Sequence, residues 1–372
     1  MQNFLVSMLV CVILILLLHK VAQRLDMMDC PGGRKLHKHP TPTVGGLAML
    51  IAVMVALLIS DGLHGDVAIL LGCGVALAAL GALDDKHCLA VSLRLMIQVF
   101  LVTVVIIGAN GIVTHLGDIL GFDIPLGMFA IPFSMIAFVG GINSINMIDG
   151  ADGMAGSMAL ITTLGATTIF YLAGAVELLP LSWAILGALV GFLFFNSRLF
   201  VRRAWVFMGN AGSLWLGLVL CWFMAQVTQG IVSAEPTLVL WLFGIPLLDT
   251  LAVMFRRMKH KRSPFHADCA HIHYVLRHLG LSNKHKILLL SLLQMTLIGI
   301  GVMFYAEHVP AWIIFWSFVL LEVFYYLLIH NSRTNDRRKK TAELYLGFDD
   351  RRQNSGHFMA VDRRKNMAVF NL

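Results

Sequence analysis

Eleven apolar stretches run through this chain, at about 3–18, 44–60, 67–83, 93–108, 125–142, 155–173, 180–195, 206–226, 236–255, 287–305 and 310–330. About 20 apolar residues in a helix cross the roughly 30 Å of bilayer hydrocarbon, so each stretch reads as a transmembrane helix, several of them slightly short. When the stretches are threaded through a membrane in turn, all 28 Lys and Arg residues fall on one side. Basic residues follow the first, third, seventh, ninth and eleventh stretches, whereas 61–66, 110–123 and 229–235 hold none. Basic loops stay in the cytoplasm, which predicts an outside N-terminus and a cytoplasmic C-terminus. The expected fold class is all-α, a polytopic integral membrane protein of about 11 helices.

Composition agrees. The chain is 58% hydrophobic and 13% charged, whereas a soluble globule carries about a quarter charged residues. Residues 1–330 read as one polytopic domain and 331–372 as a basic, flexible cytoplasmic tail, with Asp349-Asp350-Arg351-Arg352 echoed by Asp362-Arg363-Arg364. The first stretch has no basic segment before it and is followed by Lys20 and Arg24, not by a small-residue cleavage site, so it is expected to stay as a membrane helix. The net charge of +7 suits cytoplasmic loops facing anionic lipid and calls for no nucleic-acid partner. Cys11, Cys30, Cys73, Cys88, Cys221 and Cys269 show no C-x-x-C pairing, so no disulfide framework is expected.

Five polar clusters fall at the predicted cytoplasmic ends of the helices. The first, Pro42-Thr43-Val44-Gly45-Gly46 after Arg34-Lys35-Leu36-His37, either simply opens a helix or lets backbone N–H groups approach an anion, with Lys35 adding charge. The second, Asp84-Asp85-Lys86-His87-Cys88, puts two carboxylates at a helix C-terminus that is already partly negative, which points to a metal or a basic partner. In the third, Asn143, Asn146, Asp149 and Asp152 recur every three residues. On a helix the first three are expected to share a face suited to ribose hydroxyls, a base edge or a metal.

The fourth joins Asn196-Ser197-Arg198 to Phe207-Met208-Gly209-Asn210-Ala211-Gly212-Ser213, small residues that open a helix and suit either an anion or ordinary capping. The fifth runs from Arg256 through Arg262 to His266, Asp268, Cys269, His271, His273 and Tyr274. Its cations and imidazoles suit a pyrophosphate; positive-inside anchoring accounts for the basic run but not for the histidines. A zinc site from His266, Cys269, His271 and His273 is cramped and lacks a second ligand pair. Glu322, inside the last stretch, reads as a paired interior residue or a protonated one.

In this order, the clusters resemble the polyprenyl-phosphate N-acetylhexosamine-1-phosphate transferases, glycosyltransferase family 4. The resemblance extends from about Arg34 to the end of the last stretch. It includes Ala82-Leu83-Asp84-Asp85, Asn146-Met147-Ile148-Asp149-Gly150, Val206-Phe207-Met208-Gly209, Ile245-Pro246-Leu247-Leu248-Asp249 and Ser263-Pro264-Phe265. It implies that a phosphate oxygen of undecaprenyl phosphate attacks the β-phosphorus of a UDP-N-acetylhexosamine, with N-acetylglucosamine the best match. UMP would be released in the first membrane step of O-antigen, common-antigen or related surface-polysaccharide synthesis, on the cytoplasmic face of a bacterial inner membrane.

The resemblance also implies roles. Asp84, Asp85, Asp149 and Asp152 are the expected catalytic carboxylates. Lys35, Asn143, Asn146, Asn196, Gly209, Arg262, His271 and His273 are expected to hold nucleotide, sugar or phosphate. Asp84, Asp85 and Asn210 are the expected ligands of Mg²⁺ or Mn²⁺. Three positions depart from the family pattern: Cys88 and Asn210 stand where aspartates are usual, and Tyr274 where histidine is usual. Two hard anionic oxygens are thereby missing, which predicts a weaker metal site. A catalytically silent homologue that binds carrier lipid stays open as a second reading, and a transporter as a third.

Overall fold

The computed structural model describes residues 1–24, 27–29, 40–229, 232, 234–261, 263 and 271–329. It contains two compact units, Met1–Tyr325 and Tyr326–Leu372; of the second, only 326–329 are described. Lys35, Arg262, His266, Cys269 and the basic run after the last helix therefore lie outside the described residues.

The described residues are helical nearly throughout. The helices are α1 (Gln2–Val21), α2 (Gly45–Ile59), α3 (Gly65–His87), α4 (Val91–Gly108), α5 (Ala130–Ile148), α6 (Met154–Leu172), α7 (Leu179–Asn196), α8 (Gly209–Gln229), α9 (Leu238–Lys259), α10 (Ile272–His278) and α11 (Asn283–Ala306), with α12 at Ala311–Ile329. Lipid offers no hydrogen-bond partner to a peptide group, so a spanning segment must satisfy its backbone internally, as a helix does. Ten of the eleven apolar stretches are helices long and apolar enough to cross a bilayer. The other, α2, has 15 residues and rises only about 22 Å.

Helix α8 is the centre of the bundle, packed against α2, α3, α5, α6 and α9, while α1, α4, α11 and α12 present Ile13, Phe100, Met295 and Leu320 outward. Small residues let the start of α8 wedge between α2 and α3. A Cβ added at Gly46 would lie 2.2 Å from Gly212 Cα, and one at Gly81 would lie 2.4 Å from the Asn210 carbonyl. The Gly45 and Gly46 N–H groups donate to the Phe207 and Met208 carbonyls at 3.0 and 3.2 Å. Those N–H groups are thus used to join α2 to α8, and the structural reading of the Pro42–Gly46 cluster holds. Trp215 Nε1 on α8 completes the joint by donating to the Gly46 carbonyl at 3.1 Å.

Helix α9 bends at Gly244, whose φ of 32° favours glycine. Pro246 has no N–H, which leaves the Leu242 carbonyl without its usual helical donor. Gln294 on α11 fills both gaps of the break: its Nε2 donates to the Leu242 carbonyl at 3.1 Å and its Oε1 accepts from Ile245 N–H at 2.7 Å. Below the bend, α9 carries Asp249 inward.

Two short antiparallel pairs complete the fold. β1 (Met28–Asp29) pairs with β2 (Thr41–Pro42), and β3 (His115–Asp118) pairs with β4 (Asp123–Pro125) in the connection between α4 and α5.

Candidate active site

The C-terminal ends of α3, α5 and α7 meet the N-terminal ends of α6, α8 and α11 around a cavity of about 1030 Å³. Asp84 and Asp85 lie in the last turn of α3, which continues helically past the apolar stretch and ends with Cys88 in the left-handed region, φ 51°. The cavity is lined by Asp84, Asp85, Asn146, Asp149, Asp152, Asn196, Gly209, Asn210 and His273 from the expected set. Asn143 and His271 do not line it.

The reason Asn143 is left out is geometric. A helix turns about 100° per residue, so a three-residue spacing drifts by about 60° at each step, and Asn143 ends up far round α5 from Asp149. Its amide donates to Gln98 Oε1 and to the Val139 carbonyl, each at 2.7 Å. The expected common face therefore reduces to Asn146 and Asp149.

Asp84 is held by the protein on both oxygens. Leu89 N–H donates to Oδ1 at 2.9 Å, while Arg94 Nη1, at 2.5 Å, and Asn210 Nδ2, at 2.8 Å, share Oδ2. Asp85 Oδ2 accepts from Asn210 N–H at 2.9 Å, at the start of α8, where free N–H groups and the helix dipole favour an anion. Asn146 Nδ2 donates to Asn210 Oδ1 at 2.7 Å and to Ser213 Oγ at 2.8 Å. Asn210 is thus a hub that donates to one carboxylate with its side chain and to the other with its backbone.

Asn196 is spent on backbone: Oδ1 accepts from Gly153 N–H and Nδ2 donates to the Val206 carbonyl, both at 2.7 Å. Asp152 pairs with Arg198 Nε at 2.6 Å. Asp149 has no hydrogen-bond partner or cation among the described residues. Burial, and then the charges of Asp85 and Asp152, push its carboxyl up to about 7.

The two histidines divide. His271 Nδ1 bonds Asp249 Oδ2 at 2.8 Å; Asp249 Oδ1 also accepts from Ile272 N–H at 2.8 Å and from Tyr325 Oη at 3.0 Å. The Asp249 carboxylate thereby caps α10 and sets its position. His273, the second residue of α10, reaches the cavity wall and packs so closely over Gly150 that a Cβ there would meet its Nε2 at 2.4 Å. Neither of its ring nitrogens has a hydrogen-bond partner among the described residues. Burial, reinforced by the charges of His271 and Lys286 against the opposing pull of Asp249, lowers its pKa to about 4, so the ring is neutral at ordinary pH. Glu322 on α12 is buried, and neither carboxyl oxygen has a hydrogen-bond partner among the described residues.

Sequence reasoning missed Arg94, Arg277 and Lys286 as site residues, because it counted them only as cytoplasmic charge. All three line the cavity. The spacing of Asp84 and Arg94, on adjoining helices separated by a short turn, was the available signal for the first.

Among the described residues, no group of three His, Cys, Asp or Glu side chains is arranged to hold a metal. Mg²⁺ does not require one, since it commonly takes one or two carboxylates with water and substrate phosphates. Asp85 and Asp149, carboxylates without a cation beside them, fit that mode. Asp84 and the Asn210 side-chain oxygen are already engaged by protein donors.

Helices long and apolar enough to cross a membrane thus surround a polar cavity lined by carboxylates, amides and cations. A family model described as glycosyl transferase family 4 matches residues 67–228. The chain is 31% identical to an undecaprenyl-phosphate alpha-N-acetylglucosaminyl 1-phosphate transferase of Escherichia coli O157:H7 over 309 residues, 82% of this chain and 84% of the relative. It is 30% identical to the protein of that name from Haemophilus influenzae over 338 residues, 90% and 95% of the two chains. The chain belongs to glycosyl transferase family 4 and is a multi-pass membrane protein.

Proposed function

We propose that the protein transfers an N-acetylhexosamine-1-phosphate, with GlcNAc-1-phosphate the first choice, from its UDP-sugar to undecaprenyl phosphate. A lipid phosphate oxygen bonds to the β-phosphorus, the bond between that phosphorus and the bridging oxygen breaks, and UMP leaves. The observation that carries this reading is the extended similarity to relatives that bear the name of this activity, with the cavity formed by the residues of that resemblance. The same similarity favours a transferase over a silent lipid-binding homologue or a transporter. The basic residues at the cavity end favour a cytoplasmic site in a bacterial inner membrane, with the N-terminus outside.

Asp85 and Asp149 would hold a divalent cation, Mg²⁺ or Mn²⁺. When bound, it neutralises phosphate charge and favours displacement at phosphorus. The Asp149 carboxyl, pushed up to about 7 with no cation beside it among the described residues, would be held ionised by the cation. Arg94, Asn210 and Leu89 fix Asp84, and through Asn210 they fix the start of α8 against Asp85. Neutral His273 sits over Gly150 and closes that wall.

The test is transfer of radiolabel from UDP-GlcNAc to undecaprenyl phosphate by purified protein, with Mg²⁺ and Mn²⁺ titrated separately and Asp85→Asn as control. Labelled lipid that requires a metal and is lost in the control supports the reading. Absence of product from folded protein with UDP-GlcNAc and with other UDP-N-acetylhexosamines overturns it.

A further inference from the structure

Among the described residues, the charged lining of the cavity is incompletely paired in both signs. Arg94 is taken by Asp84 and Arg198 by Asp152, while Asp85 and Asp149 have no cation beside them among those residues. Lys286 and Arg277 also line the cavity. Neither side chain makes a hydrogen bond or ion pair among the described residues.

Lys286 is the more telling. It is only 2% exposed, and it is the fourth residue of α11, where the helix dipole disfavours a cation. Its charged neighbours are Arg277, of like sign, and Asp152, whose Oδ2 is already engaged by Arg198. Desolvation, the helix dipole and the Arg277 charge all act against the Lys286 ammonium. An anion entering the cavity would relieve all three at once.

We propose that Lys286, assisted by Arg277 and the first turn of α11, is a phosphate subsite that holds non-bridging oxygens of a substrate phosphate. The proposal rests on the transferase reading for the identity of that substrate. The phosphate belongs either to the diphosphate of the nucleotide-sugar donor or to the carrier lipid. In either case, the unpaired carboxylates attract the metal cation of a metal–phosphate complex, and the unpaired cations attract its phosphate.

The probe is inorganic pyrophosphate with Mg²⁺, titrated against the apparent Tm of the full-length protein in detergent. Wild type is compared with Lys286→Met, Lys286→Arg and Arg277→Met. Pyrophosphate should raise the Tm of wild type, and the concentration for half the effect should rise about tenfold or more in Lys286→Met, the scale of a lost charge-assisted hydrogen bond. Lys286→Arg should restore most of it, and Arg277→Met should show a smaller rise. Without ligand, Lys286→Met should be at least as stable as wild type, because it removes a charge that desolvation and Arg277 disfavour and keeps the side-chain volume.

Transfer kinetics then identify the source. A KM raised about tenfold for UDP-GlcNAc alone assigns the subsite to the donor, and one raised for undecaprenyl phosphate alone assigns it to the carrier. No pyrophosphate effect on wild type, or equal titrations of wild type and Lys286→Met, would overturn the subsite. The thermal readout needs no sugar transfer. A protein that makes no labelled lipid but binds pyrophosphate through Lys286 therefore loses the functional reading and keeps this one.

Discussion

Asn210 Nδ2 donates to Asp84 Oδ2 at 2.8 Å, which fixes which way round the amide stands: only the nitrogen can face a carboxylate. Its oxygen is then committed to Asn146 Nδ2 at 2.7 Å. A carboxylate at position 210 would lose the first bond and bring a second negative charge against Asp84. Asn210→Asp is therefore expected to lower stability by about 1–3 kcal/mol in EDTA and to regain it as Mg²⁺ is added. Apparent Tm against Mg²⁺ concentration checks this, with wild type showing the weaker dependence. An unchanged Tm in EDTA would show that Asn210 and Asp84 are not in contact.

Arg94 neutralises Asp84, which is 6% exposed. Arg94→Met removes the cation and leaves the carboxylate buried with only Leu89 N–H and the Asn210 amide as donors, a change that costs about 3–5 kcal/mol when a buried pair is broken. The double variant Arg94→Met/Asp84→Asn removes both charges and should recover most of that loss. Urea or thermal unfolding of the two variants beside wild type separates a structural ion pair from an incidental one, for which the double variant would recover nothing.

The fold was legible because lipid makes hydrophobicity nearly sufficient: ten of the apolar stretches are helices long and apolar enough to span, within about six residues of their expected bounds. Helix α2 was read as a span because 44–60 is apolar almost throughout, although the helix itself, one residue shorter at each end, has only 15 residues. Within the site, Asp84, Asp85, Asn146, Asp149 and Asp152 were found because carboxylates and amides at helix ends stand out from apolar sequence. Asn143 was grouped with them because a three-residue spacing approximates one face only over a single step. Lys286 was hidden by the same rule that set the expected orientation, since a lysine at a helix end expected to face the cytoplasm needs no further account until its burial is known.

Gln294 repairs the break in α9 by supplying an acceptor to Ile245 N–H and a donor to the Leu242 carbonyl, and its Nε2 also reaches Thr162 Oγ1 at 3.1 Å. Gln294→Leu preserves volume and leaves the Ile245 N–H group unsatisfied, with Thr162 Oγ1 the remaining donor to the Leu242 carbonyl at 3.3 Å. Each buried group left unpaired costs about 1–3 kcal/mol, so a drop of several degrees in apparent Tm is expected. Because the bend carries Asp249 to His271, activity should fall more steeply with temperature in the variant than in wild type. Equal Tm values would show that the bend is held by packing alone.

His273 should make stability depend on acid in a defined window. Its pKa in the fold is lowered from 6.5 to about 4, so between these values the unfolded chain binds a proton that the folded chain lacks. Stability then rises with pH across the window: it is complete above about 6.5, falls as pH drops towards about 4, and from this group changes no further below that. The shift is worth at most about 3 kcal/mol, at 1.36 kcal/mol per unit. Carboxylates titrate in the lower part of the same range, so the contribution of His273 is read by difference. His273→Phe keeps an aromatic ring over Gly150 and beside Tyr274, whose ring centroid lies 4.1 Å from that of His273, and it cannot take up a proton. The loss of apparent Tm between pH 7.5 and pH 5 should be smaller in His273→Phe than in wild type by several degrees. Parallel profiles would show that His273 is as easily protonated in the fold as in the unfolded chain.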